Sequence, residues 1–122
     1  MANDFKRFTV TNVNTSSGAS ASSVYSVPAG AGSSALESIV IGITVANTSA
    51  TGITADVFLD NHTGSNDVYV VKGASIPAGS SLEVMAGNKL VLQNNGSAGD
   101  VIRVSASASS SADAIVSVLE DV

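Results

Sequence analysis

The chain contains no cysteine and no tryptophan, and only five of its 122 residues are aromatic. Without cysteine it cannot form a disulfide, a zinc–thiolate site, an iron–sulfur cluster or a thiol nucleophile. Charged residues make up 12% of the sequence, about half of the usual share in a soluble domain. Serine, threonine, asparagine and glycine supply most of the polar side chains. The surface is therefore expected to present hydroxyl and amide groups more than ions.

Basic residues are scarce, with five lysines and arginines against ten aspartates and glutamates and a net charge of −5. Binding to nucleic acid requires a basic stripe that displaces counterions. Binding to an anionic membrane surface likewise requires a cluster of basic residues. The longest apolar stretch, residues 39–46, is interrupted by Gly42 and Thr44. It is far shorter than the roughly 20 residues of a membrane helix. We therefore expect neither nucleic acid nor a membrane as a partner.

Helical periodicity is absent, whereas short alternating runs rich in Val, Ile and Thr recur between clusters of Gly, Ser, Asn and Pro. Such runs are typical of strands in antiparallel sheets. We predict one all-β domain over residues 1–122, an antiparallel β-sandwich or jelly-roll-like fold of eight or nine strands. The predicted strands are 5–13, 23–27, 37–46, 53–60, 68–72, 81–85, 89–93, 100–107 and 112–120, with a tight hairpin at residues 86–88.

Two strands alternate clearly enough to predict their buried faces. In residues 37–46, the predicted core face carries Ile39, Ile41, Ile43 and Val45. In residues 53–60, the predicted core face carries Ile53, Ala55, Val57 and Leu59. Phe58 then points away from the core, and Tyr69 is expected to join it. An outward phenylalanine indicates either a surface buried between subunits or a second buried layer within the chain.

Signals for catalysis are weak. His62 is the only histidine and lies in a predicted hairpin loop, residues 60–67, where we expect a solvated side chain. Any Ser-His-Asp site would have to use it. Most carboxylates stand beside turns, where aspartate is favoured by local backbone hydrogen bonds. The glycine-rich stretch lacks the lysine that a phosphate-binding loop requires. We predict no enzyme activity, no catalytic residue and no cofactor.

One loop concentrates side-chain oxygens of the kind that calcium binds. Asp56, Asp60 and Asp67 lie close together in sequence with Asn61 and Asn66, and Ca²⁺ takes six to eight oxygen ligands. The spacing does not fit an EF-hand, because the closing glutamate is missing. Turn chemistry is the preferred interpretation, and these three aspartates remain weak candidates for a metal site.

The only cluster that is both basic and aromatic is Phe5-Lys6-Arg7-Phe8. One interpretation is an edge strand protected by its charges. The other is an N-terminal arm, residues 1–10, that adds to a neighbouring sheet and meets an acidic surface such as residues 120–122. The candidate interface residues are Phe5, Lys6, Arg7, Phe8, Phe58 and Tyr69.

Six segments together resemble small virion proteins of tailed bacteriophages, especially phages of cyanobacteria and marine bacteria. The segments are MANDFKR (1–7), VYSVP (24–28), IVIGITVAN (39–47), VVKGASIPAG (70–79), DVIRVS (100–105) and DAIVSVLE (113–120). The resemblance covers most of the chain apart from the Ser/Gly loops. It implies a structural component of the virion that is made in the host cytoplasm, and it supplies no catalytic or ligand residue.

Two virion roles, and one function of a different class, suit such a chain. We expect a capsid decoration (cement) protein, a homo-oligomer such as a trimer, which stabilises the head by contacts with the major capsid protein. A neck, tail or fibre-anchoring component is the first alternative. A glycan-binding β-sandwich is the second, and it is disfavoured because sugar platforms use aromatic residues that this chain has in small number.

Overall fold

Nine β-strands make up most of the described part of the chain. The computed structural model describes residues 3–62, 66–85 and 89–121, with Asn3 and Asp121 described by their backbone alone. A single 3-10 turn, Gly18–Ser20, is the helical element of this part of the chain. The strands are β1 (Asn3–Val10), β2 (Ser22–Ser26), β3 (Leu36–Asn47), β4 (Ile53–Asp60), β5 (Asp67–Ile76), β6 (Ser81–Glu83), β7 (Leu90–Asn94), β8 (Val101–Ala106) and β9 (Ala112–Asp121).

These nine strands form two antiparallel sheets that pack face to face, which confirms the predicted β-sandwich. The five-stranded sheet runs β1-β9-β3, and β3 then pairs with both β7 and β6. The first part of β3 pairs with β7 and its last part pairs with β6, so two short strands lie end to end along one edge of β3. The four-stranded sheet runs β2-β8-β4-β5.

The core lies between the two sheets and consists mainly of branched aliphatic side chains. Such side chains pack well on a pleated surface. In β4, Ile53, Ala55 and Val57 are buried as predicted, and Leu59 packs against the core while half-buried. The remaining fully buried aliphatic residues include Val13, Val40, Ile43, Val45, Leu92, Ile102, Val104, Val116 and Val118.

A β-bulge in β3 changes which of its residues reach the core. The register against β9 shifts between Val40 and Gly42, and a bulge adds one residue to one strand of a pair. Side chains before the shift are buried at even positions, up to Val40, and those after it at odd positions, from Ile43. The side-chain alternation therefore reverses within the strand.

The predicted core face of β3 is consequently right for its second half and wrong for its first. Ile43 and Val45 are buried, as predicted. Ile39 is half-buried and Ile41 is 42% exposed, so both lie on the outer face of the five-stranded sheet. The physical reason is the extra residue at the bulge, since a shift of one position moves every side chain to the opposite face.

Several strand ends also differ from their predicted positions. β5 extends to Ile76 instead of ending at Lys72, because Gly73 adopts a φ of 66° and its N–H donates to Asp56 Oδ1 at 2.7 Å. With this backbone conformation at Gly73, the strand continues to Ile76. β1 ends at Val10, earlier than predicted. The hairpin predicted at residues 86–88 lies outside the described residues.

The bulge predicts unequal effects of two similar substitutions. Ile43→Ala should lower the free energy of unfolding by about 2–5 kcal/mol, because it leaves a cavity in the core. Ile41→Ala should lower it by less than about 1 kcal/mol, because that side chain is partly solvated. Urea unfolding of both variants measures the difference. Equal losses would contradict the bulge and restore the simple alternation.

Candidate functional site

A carboxylate is buried at one end of the sandwich, between the two sheets. Glu120 of β9 is almost fully buried, and its Oε1 lies 2.9 Å from Nζ of Lys6 on β1. Tyr25 of β2 donates its hydroxyl to Glu120 Oε2 at 2.6 Å, and Ser38 Oγ of β3 lies 2.7 Å from the same hydroxyl. A buried charge is tolerated only when it is paired and hydrogen-bonded. These four residues, the Glu120 cluster, therefore join strands of both sheets.

The protonation states in this cluster suit a structural role. Burial raises the pKa of the Tyr25 phenol, and its hydrogen bond to Glu120 raises it further. The hydrogen bond and the negative charge of Glu120 raise the pKa of Lys6. At neutral pH the phenol therefore stays a hydrogen-bond donor and the lysine stays cationic. Phe8 packs on the Tyr25 ring with 4.7 Å between ring centroids, so β1 is held by apolar contact as well.

An open cleft of about 550 Å³ adjoins the Glu120 cluster. Its wall is the loop after β2, residues 28–35, whose side chains are small, together with Leu36 of β3. Lys6, Glu37 and Glu120 are the charged residues that line it. Lys6 and Glu120 already pair with each other, which leaves Glu37 as the charge at its rim. The cleft is thus a largely apolar recess in which the two interior charges, Lys6 and Glu120, form an ion pair.

His62 is held in a hydrogen-bonded pair and is not the solvated side chain expected from its loop. Its side chain is only 9% exposed, and Nδ1 lies 2.7 Å from Asp100 Oδ1. The same oxygen accepts the backbone N–H of His62 at 2.9 Å, while Asp100 Oδ2 accepts that of Gln93. The pair ties the β4–β5 loop to the segment between β7 and β8.

Burial raises the pKa of the Asp100 carboxyl, but the hydrogen bonds from the backbone and side chain of His62 and from the Gln93 N–H outweigh it. The net result is a pKa below the ordinary 3.8. A shallow depression of about 190 Å³ lies beside His62. Among the described residues that line it, none carries a hydroxyl group. With respect to the described residues around it, the pair has the geometry of a structural tie.

Two of the three aspartates proposed for calcium use their carboxylates in other contacts. Asp60 Oδ2 accepts from Arg103 Nε at 2.9 Å, and Asp56 Oδ1 accepts from the Gly73 N–H. Asp67 is the register partner of Asp60 at the end of the hairpin. Within residues 3–62, 66–85 and 89–121, no group of three or more histidine or acidic side chains is arranged to hold a metal. The structure therefore does not assemble Asp56, Asp60 and Asp67 into a calcium site.

Phe58 is not available as an interface residue, which corrects the expectation that it lies at a subunit surface. It points away from the main core, as predicted, but it is only 1% exposed. Tyr69 on β5 stacks on it with 5.0 Å between ring centroids, and Arg103 is its partner on β8. Arg103 also donates to the Ala21 carbonyl, so the loop before β2 covers this face. Phe58 thus belongs to a second buried layer.

The other candidate interface residues divide between the two faces of β1. This strand pairs with β9 along its whole length and forms one edge of the five-stranded sheet, so residues 3–10 occupy the chain's own sheet. Lys6 and Phe8 face the interior and contact Glu120 and Tyr25. Phe5 and Arg7 are exposed on the outer face. The structure therefore matches the edge-strand interpretation of this segment.

A line of apolar side chains crosses the outer face of the five-stranded sheet. Phe5 pairs with Leu119, Leu119 with Ile39, and Ile39 with Val91, so one residue from each of four strands stands in register. Phe5 is 78% exposed and Val91 is 56% exposed. We call these four residues the apolar row; the partly exposed Ile41 and Ile115 extend it.

Sequence reasoning identified only Phe5 of this row. Ile39 was expected in the core, and Leu119 and Val91 were not singled out. The missing signal was the pairing of strands that lie far apart in sequence, which alternation within one strand does not contain.

Comparisons with models of known protein families, with curated proteins and with solved structures found no match. In the described part of the chain, no helix has the length and apolar character needed to cross a membrane.

The Glu120 cluster predicts that removal of the Tyr25 hydroxyl lowers the stability of the fold. Tyr25→Phe should lower the free energy of unfolding by about 1–3 kcal/mol, because Glu120 Oε2 loses its buried donor. Tyr69→Phe is the matched control, and as a partly exposed site it should change stability by less than about 0.5 kcal/mol. Urea unfolding followed by circular dichroism measures both. A Tyr25 variant as stable as its control would mean that the cluster does not stabilise the fold.

The lowered pKa of Asp100 predicts an acid-dependent contribution to stability. The ionised carboxylate stabilises the fold above its unfolded pKa of 3.8, and this contribution disappears as the pH falls through the lower folded value. The stability difference between the native protein and Asp100→Asn should therefore be largest near neutral pH and shrink below pH 3.8. Denaturant titrations at several pH values measure it. A difference that stays constant into strong acid would contradict this account.

Proposed function

We propose that the protein is a non-enzymatic structural component of a tailed-phage virion that decorates the capsid and stabilises the head. The apolar row is the observation that carries the proposal. Monomeric soluble proteins rarely expose contiguous apolar patches of more than a few hundred Å². An aligned set of four such side chains on a flat sheet is suited to contact with another protein. The resemblance of the sequence to small virion proteins supports an assembly of that kind.

Rigidity is a second property that suits a cement protein. The Glu120 cluster and the His62–Asp100 pair each tie segments that are distant in sequence, at the sandwich interior and at a loop. A domain with fixed surfaces can repeat the same contact over a lattice without losing much conformational entropy at each site. Contacts of modest strength then add up through multivalency.

The charge of the chain supports a position on the outside of the head. Packaged DNA attracts basic surfaces, whereas this chain carries a net charge of −5. Only five lysines and arginines are present, and two of them, Lys6 and Arg103, already pair with Glu120 and Asp60. An acidic exterior is compatible with binding to the outer surface of a shell.

Binding to purified phage particles tests the proposal. Heads that lack this protein, and isolated tails, would be taken from a phage of the resembling type and incubated with the purified chain. We expect saturable binding to heads, measured by co-sedimentation, and an increase in the temperature at which heads release DNA. Substituting Phe5→Ser and Val91→Ser together should abolish both effects.

Val68→Ser is the matched control, because Val68 is a comparably exposed valine on the four-stranded sheet. It should bind heads like the native protein. Binding to tails alone would replace capsid decoration with a neck or tail role. Binding to neither particle, together with specific signals on a glycan array, would overturn the virion proposal in favour of a glycan-binding module.

A further inference from the structure

We infer that β1 pairs edge to edge with β1 of a second copy of this chain, about a two-fold axis that passes between the two copies of Phe5. The inference goes beyond the virion role and does not depend on it. It concerns the free edge of the five-stranded sheet and leaves the outer face, with its apolar row, open to other proteins. The availability of this edge and the order of charges along it support the inference.

β1 is a regular strand with one side available for pairing. Within the part of the chain that the structure describes, β9 is the only strand paired with it, and the register runs without a bulge from Asn3 to Val10. An edge strand presents a row of unpaired N–H and C=O groups to which another strand can add. Register shifts interrupt β2 and β5, the edge strands of the other sheet. Bulges of that kind hinder edge pairing, so β1 is the edge best suited to it.

Symmetry limits how two copies of β1 can pair. In an antiparallel pair, residues directly opposite each other point to the same face of the sheet. A two-fold axis perpendicular to the sheet keeps every side chain on its own face, so opposite residues differ by an even number of positions. The pairing is therefore centred on one residue, which lies opposite its own copy. Each choice of this centre residue fixes all the other pairs.

Only one centre within residues 4–8 brings opposite charges together. Pairing centred on Phe5 places Asp4 opposite Lys6 of the second copy, and Lys6 opposite Asp4 of the second copy. A centre at Asp4, Lys6 or Arg7 places that residue opposite its own copy, and like charges directly opposite each other destabilise a sheet. A centre at Phe8 places no acidic residue opposite a basic one. The charges that discourage other registers therefore favour this one.

The charged groups that meet in this register are available for the contact. Asp4 is exposed, and no other described residue forms a salt bridge with it. Lys6 contacts Glu120, but the Lys6 side chain is 42% exposed, and an ammonium group has three donors. Lys6 can therefore contact Asp4 of the second copy without leaving Glu120.

The same register brings the two Phe5 rings together on the outer face. Phe5 is 78% exposed in the single chain. Directly opposite aromatic side chains stabilise an antiparallel pair. The apolar rows of the two copies, each of four residues, then join end to end across the axis. The dimer enlarges the apolar surface of the outer face and does not cover it.

The contact is short, so we expect a weak and reversible dimer. Pairing over residues 3–7 of each copy forms about four to six backbone hydrogen bonds. Small interfaces belong to the transient class, and we expect a Kd of roughly 10–100 μM. The Asp4–Lys6 contacts lie at the sheet edge, where salt screens them, so the Kd should rise with ionic strength.

The absence of native cysteine makes the centre of the pairing directly testable. Phe5→Cys places two thiols opposite each other at a Cβ separation of about 4.5–5.5 Å, near that of a disulfide. Thr9→Cys is the matched control, because Thr9 is exposed on the same face of the same strand. Its two copies lie about 27 Å apart in this register. Mild oxidation above the expected Kd should link Phe5→Cys into a dimer on a non-reducing gel, at least about tenfold more than Thr9→Cys.

Reversal of one charge tests the register independently. Asp4→Lys places lysines opposite each other at both charged pairs and should raise the dimer Kd at least about tenfold. Glu37→Lys is the matched control, because Glu37 is an exposed acidic residue on β3 of the same sheet and its reversal changes the net charge equally. It should dimerise like the native protein. Sedimentation equilibrium measures the three Kd values, and circular dichroism shows that the variants are folded.

Light scattering of the native protein above the expected Kd should approach twice the 12.1 kDa mass of one chain. Four outcomes would overturn the inference: a monomer at that concentration, a trimer, a Thr9→Cys variant that cross-links as well as Phe5→Cys, or an Asp4→Lys dimer as stable as the native one. All of these measurements use the protein alone. A monomer that still binds phage heads would overturn the dimer and leave the virion proposal standing. A dimer that binds no phage particle would do the reverse.

Discussion

The buried carboxylate of Glu120 determines how the sandwich closes at one end. Removing a carboxylate from water costs several kcal/mol unless charged and hydrogen-bonding partners compensate it. Those partners, Lys6 and Tyr25, come from β1 and β2, one in each sheet. The interior position of Glu120 therefore requires β1 to stay on its own sheet, and the outer face of that sheet acquires Phe5 as a result. The apolar row on the outer face of the sheet therefore depends on the buried contacts of Glu120 on its inner face.

The strands themselves were predictable from sequence because their signals are local. Alternating Val, Ile and Thr residues and the turn residues between them predicted eight or nine strands and an all-β fold. The β3 bulge was not predictable, since an extra residue is defined only relative to the partner strand, here β9. Phe58 shows a related limit. Its direction followed from alternation, but its cover comes from Tyr69 and from a loop that precedes β2.

The candidate site was largely hidden from sequence analysis for the same reason. Phe5, Ile39, Val91 and Leu119 are scattered along the chain, and only the register of four strands aligns them. His62 and Asp100 are likewise 38 positions apart. The composition predicted a protein with few charged residues and no catalytic residues. It did not contain the pairing that turns separate aliphatic residues into one surface.

The position of β9 also has a consequence for biosynthesis. This strand lies between β1 and β3, yet the ribosome makes it after every other strand of the sandwich. Until it emerges, β1 has no partner in its sheet, and the uncharged run of residues 39–46 has an open edge. Such segments are prone to intermolecular pairing, and pairing between distant strands is slow. The five-stranded sheet can therefore form completely only after β9 has emerged, and the nascent chain is most exposed to aggregation just before that point.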